Sequence, residues 1–431
     1  MALGGCTMDT RPPATLSQKQ STSQPSAYTP YYPPGGYPQN APNQPYGQAY
    51  GQNVATSRLQ QPYPAQGAWP PQPGMPPMAS NTALQAPVPQ GKVKVAILLP
   101  LSGKNAALGQ AMLNAAQQAV FDAAGTNFEL QPHDTAAEGG AEAAARAAAA
   151  GGVQLIIGPL FATDVPAVIP VAGNAGLQVL TLSTDTSLAE RGVYVMGLAP
   201  GAQVERLVEY AVQHGAHRYA ALVPATPYGS LVGQVFQGAV AQNGGSVIDY
   251  ETFDPALGSD AADRVKQVMA QRDHMDALFL PEAGASLKAI ADQLSGAGFD
   301  NVHTHILGTG LWDEPGLGRQ NPILLGGWYA APDPAPRRAF VASYAAAYGN
   351  EPPRLATLAY DATALAAVLA KRGAHYDEAA MTNPNGFAGL DGIFRLSPTG
   401  SVERAMAINE VTPEGARVID AAPNSFVGRT R

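Results

Sequence analysis

The run from Lys94 to Gly103, KVAILLPLSG, constrains this chain more than any other stretch. A short, nearly continuous run of aliphatic side chains bounded by punctuation reads as a strand buried on both faces. It ends in Leu101-Ser102-Gly103, a small-residue loop just ahead of a long Ala-rich helical stretch. Strand, small loop and helix in that order form the repeating unit of an open α/β sheet, and the loop offers backbone N–H groups to a ligand at the strand's carboxyl end. The layout recurs along the chain without a catalytic constellation, so the expectation is a receptor and not an enzyme.

From Val93 onward, apolar strands alternate with helices. Strands are expected at Val93–Leu99, Phe128–Pro132, Leu155–Gly158 and Gln178–Leu182, with helices at Leu108–Ala123 and Ala141–Ala150 between them. A second alternation begins at Gly201 and runs through strands at Tyr219–Val223, Ser246–Tyr250 and Ala277–Leu280 to one ending at Ile306-Leu307. The fold class is therefore α/β: two Rossmann-like lobes with parallel sheets and right-handed crossovers, joined by a multi-strand hinge first crossed near Val195–Pro200. Later helices at Arg337–Tyr348 and Leu355–Arg372, and a hairpin of Gly392–Leu396 with Arg404–Asn409, fold back onto these sheets. The division is 92–199 with about 331–400 for lobe one, 200–330 with about 401–421 for lobe two, and a tail at 422–431.

Residues 1–91 are different in kind. Between Ser21 and Gly91 the only charged residue is Arg58, amid Pro, Gln, Gly, Asn and scattered Tyr. Prolines remove donors and little aliphatic surface is on offer, so this stretch is expected to be a disordered tether. The single cysteine, Cys6, closes Leu3-Gly4-Gly5-Cys6. A disulfide within the chain and a thiolate-pair zinc site are both excluded. The tetrad resembles a bacterial lipobox, implying a lipid on Cys6; Thr7 beside it fits the inner face of the outer membrane. Only five residues precede Cys6, with no basic or apolar export region, so either the start lies upstream or the tetrad is a chance match. No later stretch is a membrane-crossing apolar run, which leaves the lipid as the only membrane contact. A net charge of -8 argues against a nucleic-acid surface.

Ligand-binding candidates lie where strands end. In lobe one they are Ser102, Ala162, Thr163, Ser183, Thr184 and Asp185; in lobe two they are Tyr228, Glu282, Thr309 and Trp312. Small residues and hydroxyls at helix starts let N–H groups and oxygens converge on an acceptor, with Thr163 and Ser183 foremost. Tyr228 and Trp312 are expected to cover the apolar part of the ligand. The bland alternative is that the hydroxyls cap helices, that Asp185 caps one too, and that Glu282 is a solvated loop charge. The seven histidines, His133, His214, His217, His274, His303, His305 and His375, lie away from these loops, so no nucleophile has a base, and no metal or cofactor is expected.

The phrases VAILLPLSG, LIIGPLFATDVPAV, VLTLST and ILGTGLW, in order between Val93 and about Asn409, resemble the type I periplasmic binding-protein fold, in the branch that holds branched-chain amino-acid receptors and penicillin-binding protein activators. They look closer to the activators. That resemblance implies a non-enzymatic, lipid-anchored envelope protein that stimulates a bifunctional peptidoglycan synthase. In amino-acid receptors of this fold, the resemblance places a serine in the loop Phe161-Ala162-Thr163, a threonine near Thr184–Thr186, a tyrosine like Tyr228 and a glutamate within Leu307–Trp312. This sequence has Ala162 and Gly310 where the serine and glutamate belong, leaving an ammonium without its counter-charge. The alternative is a periplasmic receptor for an amino-acid-like ligand or wall fragment, feeding an ABC importer.

Overall fold

The computed structural model describes residues 91–373 and 375–426; Cys6, positions 1–90 of the expected tether and 427–431 of the tail lie outside them. In β1 (Val93–Leu99), residues 95–99 are all fully buried. A strand buried on both faces must sit inside its sheet, and β1 lies between β2 (Phe128–Asp134) and β3 (Leu155–Ile157). With β4 (Gln178–Thr181) and β5 (Val193–Val195) the order is β2-β1-β3-β4-β5, parallel throughout.

Val95, Ile97 and Leu99 pack against the helices Ala106–Ala123 and Ala356–Lys371. Ala96 and Leu98, on the other face, meet the helices Gly140–Ala150 and Val165–Asn174. Alanine on these helices keeps them close to the sheet; Ala141, Ala144, Ala145 and Ala148 are all buried there. β3 is followed by Gly158, whose φ of +90° and close approach to the Leu98 carbonyl leave no room for a β-carbon.

The second sheet contains β6 (Arg218–Pro224), β7 (Ser246–Phe253), β8 (Ala277–Phe279), β9 (His305–Gly308) and β10 (Trp328–Ala331). A small ladder of β11 (Phe394–Leu396) and β12 (Val402–Arg404) follows in sequence, and β13 (Ala407–Thr412) and β14 (Gly415–Asp420) then complete the second sheet. Its order is β14-β13-β10-β9-β8-β6-β7, in which the β10–β13 and β13–β14 pairings are antiparallel and the others parallel. The expected hairpin of 392–396 with 404–409 is corrected here. Phe394 pairs with Arg404 and Leu396 with Val402, because Phe394 and Leu396 are core residues of lobe one while Ile408 belongs to the core of lobe two.

The molecule is thus bilobed, with parallel sheets joined by a hinge, as the sequence leads one to expect. The chain passes between lobes after β5, after β10 and between β12 and β13. Arg404 ties the first passage to the third: Nη1 donates to Asp361 Oδ2 and to the Asp391 carbonyl, both at 3.1 Å, and Nη2 to the Met196 carbonyl at 3.5 Å.

Candidate functional site

Parallel α/β sheets gather functional loops at the carboxyl ends of their strands, whatever the sequence distance between them. On lobe one, Ser102 is exposed at the end of β1. Asp134, at the end of β2, closes this loop by accepting from the Leu101 N–H at 2.8 Å and the Ala136 N–H at 2.9 Å. Burial pushes the Asp134 carboxyl up, but the hydrogen bonds from Ser102, Ala136 and Leu101 outweigh it and hold it below the usual range. Beyond β3, Ala162 is half-buried and Thr163 exposed, and the Thr163 hydroxyl lies 3.5 Å from Asp164 Oδ1.

After β4 the hydroxyls turn inward. Thr181 donates to the Pro159 carbonyl at 3.0 Å, and Ser183, 4% exposed, accepts from the Asp185 N–H at 3.0 Å. Asp185 in turn accepts from the Ser187 N–H and hydroxyl, at 3.0 and 2.6 Å, capping the turn Thr186–Leu188. Ser183 and Asp185 therefore build their own loop, as the bland alternative holds, while Thr184 between them is half-buried.

On lobe two, the helix Pro227–Gln242 is capped by Thr226, which accepts from the Gly229 N–H at 3.0 Å. The next residue but one, Tyr228, reaches across to β9's end, where its hydroxyl lies 2.7 Å from Thr309 Oγ1. Two candidates 81 residues apart are thus brought into contact. Gln203 supports the same turn by accepting from the Gly310 N–H at 2.7 Å.

Glu282, at the end of β8, is not a solvated loop charge. It is 5% exposed; Oε1 accepts from the Ala283 N–H at 2.9 Å, and Oε2 is buried without a partner among the described residues. Burial raises its pKa against the opposing hydrogen bonds from Ala283 and Ser286.

Trp312 departs from expectation. At 1% exposure it cannot cover a ligand: its indole lies in the core of lobe two, with Nε1 donating to the Glu282 carbonyl at 3.1 Å. Gly308 and Gly327 leave the space it fills, since a β-carbon at 308 would overlap the ring and one at 327 would sit 3.0 Å from it.

Three charged residues that sequence reasoning passes over join the lobes. Asp313, directly after the turn Gly310–Trp312 on lobe two, accepts at Oδ2 from Arg337 Nη1 at 3.1 Å, with Arg354 Nε 3.5 Å away. Arg337 lies on the helix Pro334–Tyr348, which packs Phe340 and Tyr344 against Ala115 of lobe one, and Arg354 precedes the lobe-one helix Ala356–Lys371. No group of His, Cys, Asp and Glu that could hold a metal ion occurs among the described residues, and none of their helices is long and apolar enough to cross a membrane.

Fold and strand-end geometry together define a two-lobed α/β protein, two parallel sheets joined by a hinge. The model of the periplasmic binding protein family matches residues 92–416, and the chain belongs to that family. Membership places the protein outside the cytoplasm and makes its role binding, not catalysis. A solved protein of Rhodospirillum rubrum assigned to branched-chain amino acid ABC transport is 20% identical, with 76% of this chain and 100% of that one aligned at a TM-score of 0.66. An ABC transporter substrate-binding protein from Desulfitobacterium hafniense, solved in complex with Leu, is 18% identical over 76% of this chain and 100% of its own, at a TM-score of 0.58. An uncharacterised protein of Rickettsia prowazekii (strain Madrid E) is 26% identical over 166 residues, which is 38% of this chain; the match spans 44% of that relative's length.

These findings overturn the closer likeness to penicillin-binding protein activators, and with it the expected role in peptidoglycan synthesis and the synthase partner. The phrases that carried it, VAILLPLSG and ILGTGLW, are strand ends of the sheets themselves. Every member of the fold needs such segments, so they identify the fold and cannot choose between its branches.

Proposed function

We propose that this chain is the solute-binding receptor of an ABC importer, taking an amino-acid-like ligand into the gap between its lobes. The observation that carries the reading is the pairing of two parallel sheets across a hinge crossed three times, with an ion pair from Asp313 to Arg337 and Arg354 bridging the lobes beside the strand ends. Such a gap is the usual place for a ligand in this kind of fold. The proposed contacts are Ser102, Ala162, Thr163 and Thr184 from lobe one and Tyr228 and the buried Glu282, with its Oε2 unpartnered among the described residues, from lobe two; Thr309, 1% exposed, positions the Tyr228 hydroxyl. Ser183 and Asp185 shape their loop instead of touching the ligand. Gly310 leaves the ammonium without the expected glutamate, and Glu282 is the lobe-two carboxyl that can replace it.

Calorimetric titration of the full chain with a panel of amino acids, their amides and small aromatic acids tests this reading. Saturable one-to-one binding of a panel member supports it, and no heat from any member overturns it. The finer placement, a lipid on Cys6 holding the receptor to the inner face of the outer membrane through the Pro/Gln/Tyr-rich stretch, rests on the tetrad Leu3–Cys6. Replacing Cys6 by Ser then releases the protein from the outer-membrane fraction; unchanged fractionation contradicts the anchor.

A further inference from the structure

The charges at the lobe boundary do not form a simple chain of pairs. Arg354 is already matched within lobe one, where Nη2 lies 2.9 Å from Asp391 Oδ1 and Nη1 donates to Asp391 Oδ2 at 3.2 Å and to Thr357 Oγ1 at 2.8 Å. Behind it, Asp361 and Arg404 pair with each other at 3.1 Å, both almost wholly buried. Arg337 has no such partner in its own lobe: among the described residues, the carboxylate within ion-pair distance of it is Asp313, from the opposite lobe. Its side chain is only 23% exposed and stands beside Arg354, and burial together with that neighbouring charge pulls its pKa down. Two partly buried guanidiniums side by side need an anion between them. Here it comes from Asp313, whose side chain is 15% exposed and which sits next to Glu314.

We infer that Arg337 and Arg354 form a carboxylate-binding subsite at the edge of the gap, in which Asp313 of the opposite lobe holds the place that a ligand's carboxylate takes. This rests on the receptor reading and adds the chemistry of the ligand. Planar guanidinium donors suit a carboxylate in a way that an amide or hydroxyl does not match. Asp313 is an apt occupant because it is tethered to the moving lobe. When a ligand's carboxylate displaces it, the direct bridge between Asp313 and the arginines is exchanged for one through the ligand. The subsite also bears on the departures at Ala162 and Gly310: a ligand anchored by its carboxylate on Arg337 and Arg354 lies differently from one held through the loop at Ala162.

Calorimetry on the full chain with two matched pairs, L-leucine against L-leucinamide and benzoate against benzamide, tests the inference. At least one acid is expected to bind more than about tenfold tighter than its amide, and Arg337→Gln to weaken the acid by a similar factor while leaving the amide unchanged. Asp313→Asn, which removes the internal competitor, is expected to tighten the acid. Arg337→Lys retains part of the acid affinity, an outcome that a merely misfolded variant would not give. Equal binding of acid and amide, or an acid affinity indifferent to Arg337→Gln, overturns the subsite and leaves the receptor reading standing. Failure of all four compounds to bind both the native chain and Asp313→Asn removes the receptor reading for this ligand class, and the subsite with it.

Discussion

Replacing Gly308 by Ala should damage the packing of the second lobe. The added β-carbon would overlap Cδ2 and Cε2 of Trp312 and lie 2.5 Å from Cε3, where carbon atoms normally rest about 3.5–4.0 Å apart. The ring cannot simply retreat. Gly327 lies under the same ring, where its β-carbon position is 3.0 Å from Cζ3, Tyr329 stands edge-on with centroids 6.4 Å apart, and the bond from Nε1 to the Glu282 carbonyl fixes the indole in plane. Overpacking of this kind costs about 1–3 kcal/mol, and loss of the indole hydrogen bond adds about 1 kcal/mol. The expected destabilisation is therefore about 3 kcal/mol, a fall in melting temperature on the order of 10 °C. Urea unfolding followed by tryptophan fluorescence and circular dichroism measures it. Combining Gly308→Ala with Trp312→Phe should recover part of the loss, because the smaller ring vacates the contested space. A single variant within about 0.5 kcal/mol of the native chain, or a double variant no better than the single, would refute the packing argument.

Three further outcomes follow from particular contacts. Thr226→Ala removes the cap of the helix Pro227–Gln242 and should cost about 1 kcal/mol in thermal or chemical unfolding. Arg404→Met leaves Asp361 buried without its counter-charge and should cost about 3–5 kcal/mol near neutral pH, read by the same unfolding experiment. Burial, opposed by Arg404, pushes Asp361 up to about 6 from an ordinary 3.8, so its contribution is fully present below about pH 3.8 and is lost as the pH rises through 6. The stability of the native chain relative to Asp361→Asn should accordingly fall by about 3 kcal/mol between pH 3.8 and pH 7, and a pH-independent difference between the two contradicts this assignment.

Much of this architecture is legible in the sequence because burial on both faces leaves a plain mark. β1 reads as a strand since every residue from Val95 to Leu99 must be apolar, and the helix Ala106–Ala123 reads from its alanines. β5 and β10 are not legible: Val193–Val195 is only three residues, and Trp328–Ala331 is a strand by virtue of its neighbours β9 and β13. At the site, the meeting of Tyr228 with Thr309 follows from the rule that parallel strands collect their carboxyl ends. The burial of Trp312 does not follow, because it depends on Gly308 and Gly327 facing one ring, which only the register reveals. Asp313, Arg337 and Arg354 carry no local pattern. They are joined by how the two lobes lie across the hinge, and spacing along the chain has no bearing on that.

Hydrogen exchange of the full chain, with and without a saturating concentration of the tightest-binding acid from the panel, tests most directly whether a ligand sits between the two sheets. The account predicts simultaneous protection in both lobes, at 101–103 and 161–164 on one side and at 226–229 and 309–313 on the other. Protection confined to one lobe, or found only away from these strand ends, would contradict it.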